Sequence, residues 1–389
     1  MKENGKYRLL QCAFYACHCI TLSYVTYYLG TAGLSDRSIG VLVALTCALN
    51  SIAQGAAGRL ADHSALFTWK RQLQLYALLE IILSLILFIP GSSYVKGAVF
   101  AFLILFSLLM MPMVNAAAFY YKNAEKPVDF GIARGLGSLS YAVTALIVGK
   151  ATSWYGAMMI PYLNIAFSVV ILFIATSMPF AAAKTKTAKE SPDTSMALPR
   201  RSLFRTYPAF FITVIGIMLF IFFNNIVIIY MIRILENVGG DSGSLGVALA
   251  IAACAELPML FLYSRLSKHI GAAKLIAISG LFLSLKGILL IFAPSVHAIY
   301  AVQLLQSVSF ALLVAAKAHY ADICMAEGDK VTGQSVMSMT ESLGSVLASL
   351  AGGLVLGSRT TTVLLWCATG AAIVGTLITG VTAYEKKRK

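Results

Sequence analysis

Apolar stretches about twenty residues long recur along this chain, with only short polar loops between them. A stretch of that length crosses the ~30 Å hydrocarbon core of a bilayer as a helix. Hydrocarbon offers no partner to an open backbone group, so helix is the one fold available to such a stretch. Twelve stretches meet the description, at 9–30, 38–59, 72–90, 95–119, 131–153, 156–180, 208–233, 244–264, 273–292, 297–319, 333–356 and 360–383. The expected fold class is therefore all-α and integral to a membrane, with twelve transmembrane helices. The charge content agrees: 12% of residues are charged and 59% hydrophobic, where a soluble domain carries about 25% charged residues.

One polar stretch interrupts the pattern. Residues 181–207 read AAAKTKTAKESPDTSMALPRRSLFRTY, with Lys184, Lys186, Lys189, Arg200, Arg201 and Arg205. The stretch is too basic for hydrocarbon and too poor in apolar surface for a core, so it reads as a solvated linker between six-helix bundles at 1–180 and 208–389. The bundles repeat each other. Gly137-Ser138-Leu139 in segment five matches Gly344-Ser345-Val346 in segment eleven at an offset of 207. Gly58-Arg59-Leu60-Ala61-Asp62 aligns loosely with Ser264-Arg265-Leu266-Ser267-Lys268 at 206. Parallel six-helix repeats with a site near the midplane are a transporter architecture.

The net charge of +14 does not indicate nucleic acid, because the basic residues are spread along short loops. With both termini placed inside, 22 of the 30 Lys and Arg fall in inner segments and 5 in outer loops (Arg37, Lys96, Lys150, Arg233, Arg359). The positive-inside rule then puts termini and linker in the cytoplasm, and basic, short-looped character suggests a bacterial inner or plasma membrane. The seven cysteines form no CxxC pair and read as small apolar residues. No cleavable signal peptide, phosphate-binding loop, metal-ligand cluster or hydrolase triad is found. An enzyme and a cofactor are not expected, and transport is expected to run on an ion or solute gradient.

Twelve helices as 6+6, a basic central loop and Gly58-Arg59-Leu60-Ala61-Asp62 after segment two resemble the major facilitator superfamily over the whole chain. The loop is partly kept, since Asp62-His63-Ser64-Ala65 lacks the usual second glycine and Lys70-Arg71 supplies basic residues later. Residues 131–139 (GIARGLGSL) and Glu256-Leu257-Pro258 are similar to the lactose-permease-like and phenylpropionate-permease-like branch. Segment four has no arginine and segment five no Gly-Pro-x-x-Gly-Gly run, both features of drug/proton antiporters. The resemblance implies a secondary transporter, working as a monomer, and favours a proton symporter over an exporter. It also implies a conformational latch at Arg59 and Asp62.

Charge in mid-bilayer costs at least ~2.5–3.5 kcal/mol, so intramembrane ionisable residues are the first candidates. Glu256 sits near the centre of segment eight, just before Pro258, whose missing backbone bond opens the helix towards a cavity. It is the expected proton carrier, with Lys286, Lys317 and His319 as partners; a structural ion pair, or snorkelling by Lys317 and His319, is the plain alternative. Arg134 and Glu341 occupy equivalent repeat positions and are expected either as a gate or as interfacial anchors. Glu80 has no partner evident in sequence. Amides and aromatics at similar depths are expected to line a solute cavity, or else to bond helix to helix. These are His18, Tyr24, Tyr27, Tyr28, Asn50, Gln54 and Asn115 in the first half, with Asn224, Asn225, Gln303 and Gln306 in the second. Such groups suit a neutral hydroxylated or an aromatic ligand, and the resemblance to that branch implies a sugar, a nucleoside or an aromatic acid. An exporter of the same fold and a non-transporting receptor remain the alternatives.

The topology is open to direct test. A Ser191→Cys variant should react with a membrane-impermeant maleimide in inverted vesicles only, and a Ser92→Cys variant in right-side-out vesicles only. The opposite pattern would reverse the assigned orientation.

Overall fold

A computed structural model describes residues 3–64, 66–123, 128–179, 203–326 and 329–385. The described chain is a bundle of helices without strands. Helix α1 is composite: Glu3–His18, a π turn Cys19–Ser23, and Val25–Thr31 beyond a 49° bend. It is followed by α2 (Asp36–His63), α3 (Trp69–Ile86), α4 (Ser93–Asn123), α5 (Phe130–Tyr155) and α6 (Met159–Ser177). After a short turn at Leu203–Thr206 come α7 (Pro208–Ile229, continued by Met231–Glu236), α8 (Ser242–His269) and α9 (Ala272–Ile291). Helix α10 runs Val296–Gln303, a 3-10 turn Leu304–Gln306, a π turn Ser307–Ala311 and Leu312–Cys324. Helices α11 (Lys330–Leu356) and α12 (Thr361–Glu385) complete the chain.

The twelve expected segments each meet one of these helices, but several run well past the hydrocarbon, α4 reaching 31 residues. Among the described residues, ten spans are long and apolar enough to cross a membrane by length and composition, or eleven with the bent α1 counted as one. Helix α3 falls outside that count. Its 18 residues carry Lys70, Arg71 and Glu80, and it is held by packing on α4 and α6. Helix starts are set by local chemistry: side chains of Ser35, Thr68, Asp129, Asp241 and Ser295 each accept a bond from the backbone N–H three residues on, satisfying one orphan donor. Of the expected linker, only the Leu203–Thr206 turn and Tyr207 lie within the described residues.

The first six helices pack among themselves and so do the last six, in matching pairs: α1 on α5 and α7 on α11, α2 on α4 and α8 on α10, α3 on α6 and α9 on α12. The two sets meet mainly where α5 crosses α8 and where α2 crosses α11. Both crossings are made by glycine. A Cβ at Gly149 of α5 would lie 2.8 Å from Gly246 Cα of α8. One at Gly353 of α11 would lie 2.7 Å from Gly40 Cα of α2. No side chain fits in either place.

These crossings lie towards the face opposite the chain ends, here the far face. Polar contacts reinforce them. Arg233 Nε donates to Asp36 Oδ1 at 2.9 Å, Ser153 Oγ to Asp241 Oδ2 at 2.8 Å, and Thr26 Oγ1 to the Ile229 carbonyl at 2.6 Å. Asp241 is an N-cap, and the Ser244 backbone N–H holds its carboxyl below the usual carboxylate range. A depressed carboxylate contributes in full above its ordinary value of about 4 and is lost only as pH falls through the lowered one. The Ser153–Asp241 bond therefore keeps an ionised acceptor above that ordinary value. Towards the terminal face the same four helices diverge: Gly55, Gly58 and Gly135 have open space where a Cβ would stand. The molecule is sealed at the far face and open at the face of its chain ends.

A Gly149→Val variant must push α5 off α8 because the obstacle is backbone. Spin labels at Thr31 and Asn237, across the seal, should move apart relative to the parent protein. An unchanged distance distribution would show that the glycine crossing does not hold the seal.

Candidate functional site

Between the two sets of helices lies a cavity of about 270 Å³. Its polar lining is Tyr15, His18 and Ser23 of α1, Arg134, Ser138 and Tyr141 of α5, Asn225 of α7, Glu256 of α8, Lys286 of α9, Gln303 and Gln306 of α10 and Ser345 of α11. Apolar walls come from Val25, Val43, Ile104, Ile229 and Leu249, among others.

One amide organises the charged side. Lys286 Nζ donates to Gln306 Oε1 at 2.5 Å, while Gln306 Nε2 donates to Glu256 Oε1 at 3.0 Å and to Asn224 Oδ1 at 3.4 Å. An ammonium and a carboxylate thus share Gln306, each meeting the end of opposite polarity. Lys286 is only 1% exposed, and a lone buried ammonium costs several kcal/mol. Among the described residues its one direct hydrogen bond is to this amide, and it is felt electrostatically at Glu256. Gln306 is placed by the 3-10 and π turns that interrupt α10. Such turns open a helix at functional positions, and no residue pattern announces this one.

Arg134 faces this group from the other half. Its guanidinium lies 4.2 Å from the Tyr15 ring centroid and its Nη1 donates to Ser138 Oγ at 2.9 Å. Its charge, like that of Lys286, is felt at Glu256. Where a gate or an anchor is expected of Arg134, the structure turns its side chain into the cavity lining. His18 contacts Ser107 through Nδ1 at 3.3 Å, and Asn225 donates to Ser345 at 2.9 Å. Glu256, Lys286, His18, Asn225, Gln303 and Gln306, all candidates from the sequence, line this one cavity. Tyr15, Ser138 and Tyr141 were missed. Tyr15 and Tyr141 sit three or more residues from any candidate named, though each shares a helix face with one.

Other expectations are corrected. Lys317 does not partner Glu256; it forms an ion pair with Glu341, joining α10 to α11. That same pair is what Glu341 makes in this structure, where a gate or an interfacial anchor is expected of it. His319 contacts the Tyr263 hydroxyl at 3.0 Å and is outside the cavity lining. Tyr24 donates to the Ala145 carbonyl at 2.7 Å, a tie between α1 and α5. Its repeat equivalent Tyr230, 206 residues on, donates to Ser349 O at 2.8 Å between α7 and α11. Both tyrosines sit at a break in their helix, with φ near −104° and −107°. Tyr28 is buried and stacks on Phe100, and Tyr27 packs at the edge of the core. Asn115 accepts from Gln11 within the first half at 3.4 Å, and Asn224 stands behind Gln306. Asn50 is buried in α2 and Gln54 half-buried there, both away from the cavity lining. In each case period alone could not say which neighbour a helix face meets. Arg59 is exposed, and the Asp62 side chain lies outside the described residues.

Glu80 is completely buried in the first half. Its Oε2 accepts from Cys17 Sγ at 3.0 Å and Ser168 Oγ at 2.8 Å, and its Oε1 has no partner among the described residues. It does not reach the cavity.

Comparison with known proteins gives a consistent result. The family model described as "MFS_1 like family" matches residues 7–367. A maltose permease of Geobacillus stearothermophilus is 25% identical over 333 residues, covering 84% of this chain and 80% of that protein. Among solved structures, a substituted form of the nucleoside transporter NupG superposes with a TM-score of 0.84 at 15% identity, over 98% of this chain and all of that one. The peptide transporter POT in complex with sulfate gives 0.76 at 14% identity, over 98% and 94%. At such identities these structures speak to fold. Because the family match runs through both sets of six helices, from Tyr7 in α1 to Cys367 in α12, the chain belongs to the MFS_1 like family of membrane transporters.

Proposed function

We propose that this chain is a proton-coupled symporter that moves a small organic solute by alternating access, with Glu256 carrying the proton. The observation behind this is the Lys286–Gln306–Glu256 chain on the wall of a cavity shared by both halves. Two cations, Arg134 and Lys286, line that cavity with one carboxylate. While Glu256 is ionised it balances one of them. A proton on Glu256 leaves both cations free to attract negative charge, so a proton and an anionic solute each strengthen the binding of the other. That reciprocity is what symport requires. Of the sugar, nucleoside and aromatic-acid classes, the acid suits this lining best: its carboxylate meets Arg134, and the Tyr15, Tyr141 and His18 rings offer π faces.

In this reading the far face is outward, and termini and linker are cytoplasmic in a plasma or bacterial inner membrane. The structure then corresponds to the inward-open state. Units 1–180 and 208–389 rock as a monomer about the cavity, and the glycine crossings separate when the outer side opens. Maltose, nucleoside and peptide transport among the relatives supports solute transport as such.

A Glu256→Gln variant should lose uphill, pH-driven accumulation while keeping counterflow exchange in proteoliposomes. Accumulation at the parent level would remove Glu256 from coupling. A Gln306→Leu variant deprives Lys286 and Glu256 of a shared partner. It should destabilise the folded state by about 1–3 kcal/mol, seen as a lower thermal midpoint in detergent, and should shift the pH midpoint of uptake.

A further inference from the structure

A second cavity lies away from the central one. A groove of about 520 Å³ runs between α2 and α4 on the outside of the first half. Its walls include Val41, Leu45 and Leu49 of α2 and Ala98, Ala101 and Phe102 of α4. Leu45, Leu49 and Phe102 are among the most exposed apolar side chains of the two helices, so the groove opens onto lipid. It exists because Ala98 and Ala101 leave a furrow where larger residues would fill the contact.

The interior of the groove offers nothing to a polar ligand. The Thr46 hydroxyl is committed to the Leu42 carbonyl at 2.9 Å, and the Ser38 hydroxyl to Ser35 at 2.9 Å. The far-face end is different. Arg37 lines the mouth, is exposed, and among the described residues has no hydrogen bond or ion pair. The lining runs along α2 from Ser38 to Leu49, which at ~1.5 Å per residue is about 17 Å. That is close to half of the ~30 Å hydrocarbon thickness, the depth of a single leaflet. A partner helix crossing the membrane would need ~20 residues and the full thickness, so most of it would lie beyond the groove.

From the depth, the apolar walls and the unpaired guanidinium at one end, we infer that the groove binds a phospholipid of the far leaflet. One acyl chain lies between α2 and α4, and the phosphate is held by Arg37. Guanidinium and phosphate suit each other as charge-assisted, bidentate partners. The position matters for the seal. Asp36, next to Arg37, pairs with Arg233, and a Cβ at Gly357 of α11 would lie 3.0 Å from Arg37 Cβ. The lipid therefore touches the residues that close the far face.

Native mass spectrometry of the purified protein titrated with phosphatidylglycerol tests the site. The parent protein should retain one lipid more tightly than the rest. Arg37→Gln should weaken that retention roughly tenfold, the worth of a charge-assisted pair. Ala98→Trp, at an exposed position, should abolish it by filling the mouth, and Leu281→Trp on the exposed face of α9 should leave it intact. Inorganic phosphate in large excess should not compete. Equal retention by all four proteins, loss in the α9 variant, or displacement by inorganic phosphate would each overturn the inference.

Discussion

Hydrocarbon supplies no partner to a charge, so every ionised group among these helices must find one within the protein, and the interior is arranged around that need. Lys286 and Glu256 meet it through a single amide, since Gln306 presents its oxygen to the ammonium and its nitrogen to the carboxylate. Arg134 meets it with the face of Tyr15 and the hydroxyl of Ser138. Lys317 and Glu341 meet it by pairing directly. The central cavity is the place where the first two solutions face each other from opposite halves. A pairing through one neutral amide is weaker than direct contact, and so can be rearranged by a proton or a solute.

The duplicated frame is visible in contacts as well as in order. Tyr24 and Tyr230, at an offset of 206, tie matching helices through matching carbonyls beside the glycines that make the two crossings. Glu80 and Lys286 stand at the same offset, yet their chemistry has diverged. Glu80 is enclosed by a thiol and a hydroxyl in the first half, and Lys286 reaches the cavity in the second. In the first repeat the ionisable residue at this position is enclosed within the bundle. The other has turned it towards the space between the halves.

The seal at the far face and the opening at the other have one cause. Glycine against glycine brings α5 to α8 and α2 to α11 near backbone contact at one end. Straight helices that touch closely at one end and cross at an angle must separate at the other. A membrane transporter of this family needs a contact that is close and still separable. Backbone packing of small residues fits that need, assisted here by one part-buried ion pair and two hydrogen bonds.

Much of this was legible beforehand. Segment length and hydrocarbon physics require helices, so the all-α fold and the position of each helix followed from residue order. The depth of Glu256 and Lys286 in apolar segments marked them as groups in need of partners. What the residue order could not carry was which partner each group would meet. A helical period places Tyr24, Asn50 and Gln306 on faces, but only the mutual rotation of the helices decides whether a face meets a carbonyl, a dry contact or a cavity. The break in α10 that aims Gln306, the turn of Arg134 into the cavity, and the diversion of Lys317 to Glu341 all depend on that rotation. Local sequence thus determined the helices and their charges, and tertiary packing, where side-chain and backbone contacts compete across the whole bundle, decided which charges share a site.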